Sequence, residues 1–229
     1  MVPKPKVKVP TIGGSRLRIS AKLWSGKSEN IIRSGVFAVN AMGGLQALHT
    51  AKSMKGDANA VIAVAEKWRQ AAQNINDCEN PLFISSNSLA ADWAGSAYVA
   101  FDKLMTRNMQ VVSGNATALL AAEMALLDLS VQVTNAYNSA VDLTTLAASR
   151  IQPALGGIGI TKTKSDDKPT ILSALTDYVN AINEADTKLR AAINSQKVGL
   201  AKFANSLTKL NVPAEMSSGI ENPKHWNYQ

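Results

Sequence analysis

The chain has 229 residues, of which 46% are hydrophobic and 5% aromatic, and its 24 lysines and arginines exceed its 17 acidic residues by seven. That apolar share excludes a wholly disordered chain, and a single cysteine excludes an internal disulfide framework. Mean hydropathy near zero, with no long apolar run free of charge, Gly and Asn, yields no transmembrane candidate.

The excess charge belongs to the first element. Residues 1–28 carry Lys4, Lys6, Lys8, Arg16, Arg18, Lys22 and Lys27 and no acid, which leaves 17 basic and 17 acidic residues in the remainder. An arm of this kind binds a polyanion, most often nucleic acid through phosphates, or an acidic surface on a partner protein. The bland alternative is a solvated tail that keeps the protein soluble. Three prolines in the first ten residues make residues 1–12 extended. Arg16, Arg18, Lys22, Lys27 and Glu29 fall where a signal peptide would be apolar, so export by the Sec route is not expected.

Helices follow. The first is expected over 29–54, weakened by Gly35, Gly43 and Gly44. The next begins after the candidate cap Asp57, where Val61, Val64, Ala65, Trp68, Ala71, Ala72 and Ile75 recur at helical spacing. Residues 78–88, with Pro81 and a Ser/Asn cluster, read as a connection. A long proline-free stripe runs from 88 to about 151, and a helix of that length spans about 90 Å, so a break is expected, at Gly114. Residues 152–169 read as a loop, 170–210 as a last long helix with Ile171, Leu175, Tyr178, Ile182 and Leu189 on one face, and 211–229 as a tail. The fold class is therefore all-α: an elongated antiparallel helical bundle or long helical hairpin behind an extended basic arm.

Chemistry-bearing motifs are few. His49, His225 and Cys78 lie at no metal-ligand or nucleophile spacing, and Cys78 reads as a small packing residue. Acids such as Asp128 and Glu184 are scattered, as surface charges are. Ala21-Lys-Leu-Trp-Ser-Gly-Lys-Ser28 fits a relaxed phosphate-loop pattern. That motif requires a buried strand before it, and the alternately basic Ser-Arg-Leu-Arg-Ile-Ser supplies none. Neither catalysis, nor a cofactor, nor a metal is expected.

One motif remains. In residues 89–101, Leu89, Trp93, Gly95, Ala97 and Phe101 fill the pattern L-x3-W-x-G-x-A-x3-F. The segment resembles the centre of the WXG family of helical-hairpin proteins exported by type VII secretion, over roughly residues 57–145. The resemblance implies a hairpin turn in which Gly95 lets the backbone bend and Trp93 closes the helix pair. It also implies an export element in the second helix, Tyr-x3-Asp/Glu. Tyr137 and Asp142 stand where that element belongs, with the acid one residue late, and Tyr98 with Asp102 has the right spacing nearer the turn. Trp93 also fits an ordinary core aromatic.

The expected function is that of a non-enzymatic helical protein acting by protein–protein contacts, a secreted substrate without a Sec signal. The alternative is a self-assembling structural subunit, of a virion or nucleoid, whose arm binds nucleic acid or a neighbour. The expected partner is a second copy or a helical protein, with nucleic acid reserved for the arm and no membrane span.

Overall fold

The computed structural model describes residues 20–92, 95–156 and 167–208. All regular structure among them is helical: α1 (Gly26–Val39), α2 (Gly43–Ser53), α3 (Ala58–Asp92), α4 (Ser96–Ala154) and α5 (Lys168–Ser206). The all-α class is as the periodicity requires. Lys4, Lys6, Lys8, Arg16, Arg18 and Trp93 lie outside the described residues.

The chain divides into two compact units. Among the described residues, one comprises 20–65, 124–156 and 167–200, the other 66–92, 95–123 and 201–208. In the first unit, Ile32, Val36, Leu48, Ile151, Ile171, Leu175 and Ile182 form the fully buried centre. Here α4 and α5 run antiparallel, since Asp128 bonds Gln196, Thr144 meets Tyr178 and Arg150 pairs with Asp177. In the second unit the buried residues are small: Ala72, Val112, Ala116 and Ala122, with Ser86 and Glu123. Arg69 and Glu123 approach to 3.9 Å, and they stand at nearly equal chain distance either side of Gly95, as an antiparallel hairpin requires.

Five sequence expectations need correction. The helix expected over 29–54 is two, because Asn40 adopts the left-handed conformation at φ 55° and caps α1 through its N–H to the Val36 carbonyl. The short α2 then packs through Gly44, where a Cβ would lie 2.6 Å from Val36 Cγ2 and 3.2 Å from Leu175 Cδ2. The connection expected at 78–88 is helix, as α3 continues through Pro81. Residues 81–85 are exposed, so the Asp77 carbonyl that loses its N–H partner faces solvent. For the same reason Cys78 is exposed rather than packed. No break occurs at Gly114, since one glycine costs about 1 kcal/mol in a helix and α4 carries it. Finally, α4 does contain a window long and apolar enough to cross a membrane by length and composition, once up to two charged residues are tolerated; 22% of that window is buried.

Candidate functional site

There are two separate candidate groups of residues, one in each unit. The first surrounds the reversal between α3 and α4. Gly95 has φ +95°, a conformation L side chains avoid, and Ser96 starts α4 immediately after it. Leu89 is exposed near the end of α3, Ala97 lies in the first turn of α4, and Phe101 is half-buried one turn on. Flanking the reversal, Leu82, Phe83, Ile84 and Val99 are also exposed apolar side chains, with Ile84 64% accessible. Tyr98 is half-buried and Asp102 exposed in the same stretch of α4.

Further from the reversal, Glu123 is buried, and burial pushes its carboxyl above the usual range. Arg69 opposes this, weakly at 3.9 Å, and Glu66 adds to it.

The second group lies on α4 around Tyr137 and Asp142. Tyr137 is buried in the core of its unit, and the indole of Trp24 stacks on it with ring centroids 6.4 Å apart. Asp142 is exposed and pairs with Lys22 Nζ at 2.5 Å. The Lys22 N–H donates to Asn138 Oδ1 at 2.7 Å, and Asn138 Nδ2 donates to the Ser20 carbonyl at 3.4 Å. The inner end of the basic arm thus lies along the element that the sequence singled out in α4.

Trp24 is fixed from its other side. Its Nε1–H donates to Glu29 Oε2 at 2.8 Å, the same oxygen receives Lys52 Nζ at 2.6 Å, and Lys52 also sits 5.5 Å from the Trp24 ring centroid. Arg33 bonds the other Glu29 oxygen at 2.8 Å. The Lys52 hydrogen bond leads in holding the Glu29 carboxyl down at about 2, and burial works against it. Nothing in the sequence links Lys22 to Asp142, 120 residues away; a Trp five residues before a Glu at a helix start was the only local signal.

The phosphate-loop-like segment is used structurally. Ser25 caps α1, its Oγ accepting from the Ser28 N–H at 3.2 Å, so the helix N–H that a phosphate would take is engaged. Lys27 is exposed in the first turn of α1. Beside the Trp24 cluster a cleft of about 380 Å³ opens between Ala21, Lys55, Asp57, Asn59, Thr134 and Tyr137. Asp57 is engaged there as the cap of α3, accepting from the Ala60 N–H at 3.0 Å.

The chain matches no family model, no curated protein and no solved structure.

Proposed function

We propose that this protein is a non-enzymatic helical protein that acts by contact with another protein, in the manner of a type VII secretion substrate. One observation carries the reading: the chain reverses at Gly95 within the Leu89-to-Phe101 motif, and exposed apolar side chains stand on both helices beside that reversal. Large apolar side chains left in water at a helix reversal favour burial against a partner helix. Trp93, Gly95 and the Tyr137/Asp142 element take the roles that the resemblance implies, and the export they serve needs no Sec signal.

The test is secretion from the native host. Replacing Ile84 and Leu89 by Asp alters exposed positions and leaves the helical fold intact, yet it abolishes export. Trp93→Ala does the same. Unchanged export from soluble variants overturns the reading.

The second reading, a self-assembling subunit, rests on the concentration of seven basic and no acidic residues in 1–28. On it, deleting residues 2–19 removes salt-sensitive nucleic acid from the purified particle. Light scattering that shows a small oligomer free of nucleic acid rejects it.

A further inference from the structure

The segment Ser20–Trp24 is held by two unlike anchors, one shared among α1, α2 and α4 and the other on α4 alone. At Trp24 the anchor is strong: stacking on buried Tyr137, a hydrogen bond to Glu29 and the Lys52 cation over the ring. At Ser20–Leu23 it is weak. The Lys22 and Asp142 side chains remain 50% and 62% exposed within their ion pair, and Leu23 is 93% exposed. Solvent screens an exposed pair of this kind, so it holds the segment only weakly.

What these residues touch has the form of a peptide-binding face. Asn138 and Asp142 stand one helical turn apart on the same side of α4. The Asn138 amide accepts from one backbone group of the segment and donates to another, the pairing that reads an extended main chain whatever its sequence. Asp142 then selects a cation at one position along it. The face also continues past the segment, because the cleft of about 380 Å³ opens beside Ala21.

We infer that the Asn138–Asp142 face of α4 is a docking site for an extended basic segment of a partner protein, and that Ser20–Leu23, hinged at Trp24, occupies it in cis as a competitor. The inference rests on the reading that this region of α4 serves partner contact, and it supplies the regulation of that contact. A partner gains access by displacing a short segment held by one exposed ion pair and two hydrogen bonds, while Trp24 stays seated and α1 keeps its cap.

The experiment uses the full chain and a fluorescein-labelled peptide of the sequence of residues 16–23, with anisotropy as readout. Lys22→Glu repels Asp142 and opens the face, and apparent affinity scales with the fraction of molecules whose face is open. The expected result is that the Lys22→Glu protein binds the peptide about ten-fold tighter than the wild type. Adding Asp142→Ala removes the gain, with an unchanged helical circular dichroism spectrum throughout. Equal binding by wild type and Lys22→Glu, or a gain that survives Asp142→Ala, overturns the inference. Export separates this from the reading beneath it. If the peptide result holds while Ile84→Asp/Leu89→Asp leaves export intact, the secretory reading falls and the docking site stands. If those variants abolish export while the peptide discriminates nothing, the docking site falls alone.

Discussion

Glu29 is the most heavily used side chain described here, taking Trp24, Arg33 and Lys52 on two oxygens. Its folded pKa of about 2 lies below the ordinary 4.5, so it contributes stability above pH 4.5 that is lost as pH falls towards 2. Allowing for solvent screening of the half-exposed Lys52 and Arg33, the contribution is about 1–2 kcal/mol. Glu29→Gln should therefore lower the urea midpoint at pH 7, and the gap to wild type should close on acidification through that window. A buried hydroxyl pair, Thr144 and Tyr178, gives a prediction of opposite pH sense. Thr144 has one hydroxyl proton, which goes to the Ala140 carbonyl at 2.7 Å, so the Tyr178 hydroxyl is the donor in their 3.1 Å contact. Burial leads in raising Tyr178 to about 12, so the neutral ring stabilises the fold up to pH 10 and that support is retained only until pH passes the folded value. Thr144→Val removes the acceptor and leaves a buried hydroxyl unpaired, a loss of about 1–2 kcal/mol measurable by denaturant titration.

At the scale of elements, close packing and helix propensity decide two further outcomes. Gly44→Ala places a methyl 2.6 Å from a fully buried Val36, so it should destabilise by about 1–3 kcal/mol in thermal melts despite the better helix propensity of alanine. Pro81→Ala works the other way. It restores an N–H to the Asp77 carbonyl in an exposed stretch of α3 and should raise Tm, since an interior proline costs a helix about 3 kcal/mol.

These two positions also show what the sequence could and could not disclose. The stripes over Val61–Ile75, 88–151 and Ile171–Leu189 announced helices because each buries one face, and period 3.6 survives any neighbour. Asn40 before Gly43-Gly44 carried the split between α1 and α2, since asparagine is the commonest non-glycine residue at a left-handed cap. Pro81 and Gly114 misled because a breaker states a local cost and says nothing of the helix on either side that outweighs it. The site was legible only in part. The motif from Leu89 to Phe101 marked the reversal at Gly95, and Tyr137 and Asp142 came only from what the family resemblance implies, with the acid one residue late for that pattern. That Lys22 and Trp24 of the basic arm cover those last two depends on a tertiary contact, which no local pattern encodes.

For the whole molecule, the two units differ in what they bury. The unit formed by residues 20–65, 124–156 and 167–200 has a centre of Ile, Leu and Val, each worth about 1.5–3 kcal/mol on full burial. The other, built on residues 66–123, buries mainly alanine. Amide hydrogen exchange should accordingly protect 137–151 and 171–182 far longer than 66–92 and 96–116, and heating should melt the alanine-lined unit first. Coincident melting with uniform protection would contradict this ordering.

Alanine at Ala72, Ala116 and Ala122 has a further effect besides weak burial. A methyl group has no rotamers and too little reach to lock between the residues of a facing helix. In the hairpin around Gly95, the Arg69–Glu123 approach at 3.9 Å is then the one ionic contact among the described residues that marks the axial register of α3 against α4. With so little interlocking along this seam, the register of α3 against α4 falls to two features, the short covalent link at Gly95 and the ion pair between Arg69 and Glu123.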